Sequence, residues 1–229
     1  MSNIIELEHL NRAEALRYMG CVSGTDMTDA AIVNLMDTGE RKLLSTARPG
    51  YIYKAFETEL CNQGVALKGT NLVLFGESIK EHLKDCKKAV LMAVTISADV
   101  DRLLRVTQLE NMAEAVVIDS LASVAVEQVC DKVEEKIKEE FMSGYMTFRF
   151  GVGYGDFPIT QQKDFVKVLQ ADKYIGLHVT SSGILTPTKS VTAVIGLSEK
   201  ETEQKVRGCV TCNMKDRCQY RKKGGRCNG

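Results

Sequence analysis

Residues 145–158 read YMTFRFGVGYGDFP, and the way this stretch folds decides the architecture around it. Tyr145, Thr147 and Arg149 alternate with Met146, Phe148 and Phe150, the period of a strand. Gly151, Gly153 and Gly155 then free the backbone for a turn. Downstream, Thr160 is placed to cap a helix running through Gln170, with Phe165, Val166 and Leu169 on one face. Val179 to Leu185 and, after Pro187, Val191 to Leu197 read as two strands. Strand, loop, helix, strand, strand predicts an α+β fold. Its mixed or antiparallel sheet carries helices packed on it, rather than being doubly wound.

The upstream half fits that frame. Asn11-Arg-Ala-Glu14 has the form of a capping box and starts a short helix through Leu16 and Met19. A second helix is expected from Thr28 to Leu44, ended by Pro49 and Gly50, with a strand at Tyr51 to Phe56. Gly64, Gly69 and Asn71 punctuate a hairpin before Leu72 to Phe75, and Ser78 to Asp85 reads as a charged helix. The apolar run from Lys88 to Ile96 predicts a central strand. From Met112 to Met142, Ile118, Leu121, Ala122, Ala125, Val129, Val133 and Ile137 recur at steps of three and four and predict a long helix.

The glycine loop also carries chemistry. Arg149, at the strand end, presents a planar fork suited to a carboxylate or phosphate. No helix begins on the glycines, so this is neither a dinucleotide fingerprint nor a P-loop. From the residues alone, a glycine-rich hairpin with a surface arginine and a ligand-seating loop both remain open. No acid–base pair or nucleophile–histidine pair stands out; His9, His82 and His178 are scattered and expected to be structural or exposed.

The chain has 229 residues, 44% hydrophobic and 26% charged, an ordinary balance for a globular protein. It contains no apolar run of bilayer length and opens on an acidic MSNIIELEHL without a signal-peptide core, so a cytoplasmic location and no membrane partner are expected. Reduced thiols follow from that compartment, and Cys21, Cys61, Cys86 and Cys130 read as buried small hydrophobes.

The formally neutral total hides a composition break. From Lys205 onward there are eight Lys/Arg against one acid, Asp216, which leaves the first 204 residues with the balancing negative charge. Cys209, Cys212, Cys218 and Cys227 crowd into this segment. With so little apolar material between them, a metal would supply the ordering free energy. An all-sulfur set suits an iron–sulfur cluster or zinc. Two regions are therefore expected, 1–204 as the folded domain and 205–229 as a basic four-cysteine metal-binding tail. The basic residues suit an acidic protein surface, and nucleic acid is not expected.

Arg149, Gly153 and Tyr154, followed by Leu169, Lys173, Ile175, Gly176, Thr180 and Ser182, form a spaced pattern over the span from Arg149 to about Ser198. In that pattern the chain resembles the C-terminal activation domain of cobalamin-dependent methionine synthase. The resemblance implies binding of S-adenosylmethionine and its presentation to inactive cob(II)alamin during reductive reactivation. It implies Arg149 for the ligand carboxylate, Gly151 and Gly153 for close backbone approach, and Tyr154 as a wall. Cobalamin would be held by a partner, a methionine synthase or related corrinoid protein, with a separate electron donor. The chain is too short to hold the substrate and cobalamin modules itself, so a free-standing component is expected.

Three departures qualify the resemblance. Gly20 and Ser123 stand where the family carries acids that face the ligand, and Phe150 and Val152 replace two loop prolines. The alternative is a metal-dependent interaction module, or a regulator of another corrinoid methyltransferase, whose S-adenosylmethionine site has degenerated.

Overall fold

The structure is a computed structural model that describes residues 4–21, 29–141, 144–200 and 217. In chain order it contains α1 (Arg12–Tyr18), α2 (Ala30–Thr46), β1 (Gly50–Cys61), β2 (Gly64–Leu67), β3 (Val73–Phe75), α3 (Glu77–Leu83) and β4 (Lys88–Thr95). There follow α4 (Ala98–Glu110), α5 (Met112–Glu140), β5 (Tyr145–Met146), β6 (Phe150–Gly151) and a 3-10 turn (Ile159–Gln161). The chain then forms α6 (Gln162–Leu169), α7 (Ala171–Ile175), β7 (His178–Val179), β8 (Leu185–Thr186) and β9 (Ser190–Ser198). The main sheet runs β3-β2-β1-β4-β9-β5, with β6 also on β9, and the pairs β1–β2, β2–β3 and β5–β9 are antiparallel. The expected α+β class is therefore the observed one.

Two compact units divide the chain, and β1, β4 and β9 contribute residues to each. The first comprises Met1–Lys54, Leu91–Met142 and Ile159–Ala193. Its organising element is α5, whose expected stripe from Ile118 to Ile137 is wholly buried. Each such aliphatic side chain contributes about 1.5–3 kcal/mol when removed from water. α2 packs on this stripe at Gly39, where a Cβ would lie 3.2 Å from Ile118, so glycine permits the close crossing. Asn11 caps α1 through its side chain, as the capping pattern predicts. Arg12 then ties α1 to Glu40 of α2 at 2.6 Å, while Glu40 also accepts the Leu10 amide.

Unit two comprises Ala55–Val90, Ser143–Pro158 and Val194–Gly229. Its β1–β2–β3 meander leads into α3, which is anchored by the buried Ile79 and Leu83. Cys86 is buried, and burial pushes its thiol up to about 11, as expected of a small hydrophobe. Cys130 is likewise buried, whereas Cys21 and Cys61 are only half-buried.

Three local expectations are corrected, and one helix is added. The strand expected across 145–150 is broken into β5 and β6. Thr147 donates its amide to the Gly196 carbonyl at 3.0 Å, but its side-chain Oγ1, not its carbonyl, accepts the Gly196 amide at 2.8 Å. A hydroxyl in the ladder stops regular pairing there. Val179 to Leu185 is not one strand but the hairpin β7–β8, turned at 180–183. Thr180 Oγ1 accepts the Ile184 amide, and Gly183 takes φ +84°. Thr160 lies within the 3-10 turn and does not cap α6. α4, unforeseen, buries Val100, Leu104 and Thr107 at helical spacing.

The α5 stripe yields a stability prediction. Leu121→Ala, at a fully buried position, should lose about 2–5 kcal/mol in denaturant unfolding, whereas Leu109→Ala, at a residue 90% exposed, should change stability by less than about 0.5 kcal/mol. Equal effects would remove the stripe from its central place.

Candidate functional site

Arg149, Gly151, Gly153 and Tyr154 share one loop of the second unit. Arg149 ends the irregular link between β5 and β6 and is half-buried. Beyond β6 the chain folds back on itself. Tyr154 donates its amide to Gly151 at 3.1 Å, Phe157 to Tyr154 at 2.9 Å, and Gly153 to Phe157 at 3.0 Å. Gly153, at φ +96°, takes a backbone form that side-chained residues avoid. Because the Gly153 amide is used inside the loop, that glycine offers close approach to its backbone rather than an unpaired donor.

An aromatic array supports the loop from beneath. Phe157 is buried and stacks on Phe150 at 6.4 Å between ring centroids, while Phe150 meets His82 at 4.9 Å. His82 also stands edge-on to Phe148 at 4.7 Å, with Nε2 2.8 Å from Thr147 Oγ1. His82 is thus structural, and His9 and His178 are exposed. Tyr154 is 65% exposed with its ring 6.1 Å from Phe150, so it is a surface aromatic and not part of the core.

Asp156 fixes the far side of the loop. Its Oδ2 accepts the Glu77 amide at 2.7 Å and its Oδ1 the Ser78 amide at 2.8 Å, capping α3 from 78 residues away. The Ser78 amide, then the Ser78 side chain and the Glu77 amide, hold the Asp156 carboxyl below the usual aspartate range. Sequence reasoning missed this role. The only local signal is negative: α3 opens on Gly76, which has no side chain to cap it.

Gly20 and Ser123, the two positions where the resemblance implies an acid, lie in the first unit, and each has a physical reason. Gly20 is the residue just past α1's C-cap. It takes φ +82°, donates to Arg17 O at 3.0 Å, and is followed by Cys21 donating to Leu16 O at 3.0 Å. That is a Schellman ending, which favours glycine. Ser123 donates to Asp119 O at 3.0 Å and accepts from Lys189 Nζ at 2.9 Å, while Lys189 also reaches Asp119 Oδ1 at 2.8 Å. Ser123 and Lys189 line a groove of about 400 Å³ with Tyr18 and Glu127. A protein ammonium thus sits where the resemblance implies a carboxylate.

Other motif residues are architectural. Leu169 is buried, Gly176 ends α7 at φ +64°, and Thr180 and Ser182 bond each other at 2.9 Å in the β7–β8 turn. Cys209, Cys212, Cys218 and Cys227 lie outside the described residues. Among the described residues no cluster of His, Cys, Asp or Glu is arranged to hold a metal, and no helix is long and apolar enough to cross a membrane.

Residues 69–223 match the family described as vitamin B12 dependent methionine synthase, activation domain. A solved structure, the crystal structure of the MetH reactivation domain bound to AdoHcy, superposes with a TM-score of 0.62 at 14% identity. The superposition covers 93% of this chain and 81% of that one, and at this identity it speaks for the fold. No curated protein matches the chain.

The Asp156 cap predicts a pH response. A carboxylate with a depressed pKa contributes order above its unfolded value and loses it as pH falls through the folded value. Exchange protection of the Glu77 and Ser78 amides, corrected for intrinsic rates, should be flat through the neutral range and fall only below the ordinary aspartate value of 3.8. Protection that changes near neutrality would assign the cap to another group.

Proposed function

Because the chain belongs to the family of vitamin B12 dependent methionine synthase activation domains, we propose that it binds S-adenosylmethionine and presents it to a separate, inactive methionine synthase during reductive reactivation. The observation that carries this reading is the folded Arg149–Tyr154 segment, a half-buried arginine just before β6 and an exposed tyrosine on the closed turn that follows it. The solved domain of like fold was crystallised with AdoHcy, which shares all of S-adenosylmethionine except the transferable methyl.

In this reading the residues bind and orient. Arg149 holds the ligand carboxylate by a charge-assisted, bidentate pair. Gly151 and Gly153 let the adenosyl group lie against the main chain, where a side chain would stand in the way. The Tyr154 ring walls the pocket, supported by Phe150. The methyl group comes from S-adenosylmethionine and the electron from an external donor, so the chain needs no acid–base pair of its own. Cobalamin would reside on the partner, a methionine synthase or related corrinoid protein. Cys209, Cys212, Cys218 and Cys227 would hold an iron–sulfur cluster or zinc. The cluster would offer the electron a route, while zinc would only order the segment. Visible absorbance of anaerobically prepared protein, lost in Cys212→Ser, favours the cluster; colourless protein with bound zinc favours the scaffold.

One observation favours a second reading, a regulator with a degenerate ligand site. Lys189 Nζ is only 2.9 Å from Ser123 Oγ, so an ammonium stands beside the position where the resemblance implies a ligand-facing acid.

Calorimetric titration of S-adenosylmethionine separates the two. The reactivation reading predicts saturable binding, weakened roughly 10- to 100-fold in Arg149→Ala, the worth of a hydrogen bond to a charged group. Equal affinity in wild type and variant would place the ligand elsewhere, and no heat at millimolar ligand would favour the regulator.

A further inference from the structure

The loop has an anchor that the ligand reading does not use. α3 and the glycine loop meet through Asp156, whose two oxygens each take one first-turn amide of the helix, from Glu77 at 2.7 Å and Ser78 at 2.8 Å. Both sides of the junction are stripped of side chains. A Cβ on Gly76 would lie 2.8 Å from Asp156 Oδ1, and one on Gly155 would lie 2.5 Å from Ser78 Oγ. Gly155 also takes φ +57°, the left-handed form. Two glycines at opposite faces of one carboxylate bridge are what a close, specific approach requires.

The partners depend on this bridge unequally. α3 is already held by Ile79 and Leu83, both essentially inaccessible to solvent. From Gly151 to Pro158, only Phe157 is buried, and Gly153, Tyr154, Gly155 and Asp156 are all exposed. Apolar burial secures the helix without Asp156, whereas the loop is pinned inward at Phe157 and outward at Asp156. Losing the outward pin leaves a single anchor and the loop's own turns. Phe150 and Val152 give the segment no proline to restrict its backbone. Order that is not built into the loop must be supplied on binding, at a cost in affinity.

We propose that Asp156 is the positioning residue of the ligand loop, clamping the segment from Arg149 to Tyr154 to the start of α3 in its binding form. This rests on the reading of that loop as the S-adenosylmethionine site. Asp156 does not touch the ligand; it sets the geometry of the residues that do.

The test is titration of wild type, Asp156→Ala and Asp156→Asn with S-adenosylmethionine and with S-adenosylhomocysteine, beside amide exchange of the same proteins. Asp156→Ala should bind both ligands roughly tenfold more weakly through lost preorganisation. Exchange should quicken at Gly153, Tyr154 and Phe157, while the last turn of α3 stays as protected as in wild type. Asp156→Asn keeps one acceptor oxygen and should fall between. Wild-type affinity in Asp156→Ala would overturn the proposal while leaving the ligand site standing. Loss of α3 protection with the loop unchanged would overturn it too, because Asp156 would then be a helix cap alone. If wild type binds neither ligand, the functional reading fails and the ligand role of Asp156 fails with it. Loop exchange in Asp156→Ala would then show, separately, whether the clamp exists.

Discussion

The burial of β4 constrains everything else in this chain. From Ala89 to Thr95 every residue is buried, so side chains on both faces of the strand are removed from water. Its amides and carbonyls cannot be satisfied by solvent and require protein partners on both edges. β1 and β9 supply them, and the strand order β3-β2-β1-β4-β9-β5 grows outward from that requirement. β9 is itself buried from Thr192 to Gly196 and again at Ser198, which makes it the second interior strand. The glycine loop hangs from this arrangement, since β6, which carries Phe150 and Gly151, pairs with β9.

Preorganisation is the physical theme of the site. Three backbone hydrogen bonds close the turn, Phe157 pins it to an aromatic bed, and Asp156 ties it to α3. The absence of loop prolines predicts a looser segment than related domains carry. The structure offers a different source of rigidity, built from tertiary contacts rather than from restricted backbone angles. The groove at Ser123 follows another logic. There a lysine, an aspartate and a serine satisfy one another beside a groove.

Much of this was legible in the residues. Elements with a strong period were readable: the α5 stripe and the apolar β4 run appear where the pattern places them. Of the Asn11 capping box only the Asn11 half forms, since Glu14 turns to Arg17 and the Asn11 amide donates to Gln128 Oε1. The turn at 151–157 was legible because Gly151, Gly153 and Gly155 free the backbone there, and Gly153 and Gly155 take positive φ. What was hidden depended on partners distant in sequence. Thr147 looks like any strand residue until Gly196 is beside it, and Asp156 looks like a solvated turn residue until the amides of α3 are aimed at it. Val179 to Leu185 was misjudged as one strand because Val179 and Leu185 do lie in strands, while the polar residues between them form the turn in which Thr180 and Ser182 bond each other. Gly20 marks a departure from the family resemblance in sequence, and only its Schellman hydrogen bonds show why glycine stands there.

Recovery of enzyme activity reads the proposed reactivation without an intermediary. Inactive, cob(II)alamin-bearing methionine synthase lacking its own activation domain would be incubated with reductant and S-adenosylmethionine, with and without this protein. The account predicts recovery that requires both the protein and S-adenosylmethionine and is reduced by Arg149→Ala. Equal recovery with and without the protein would contradict it.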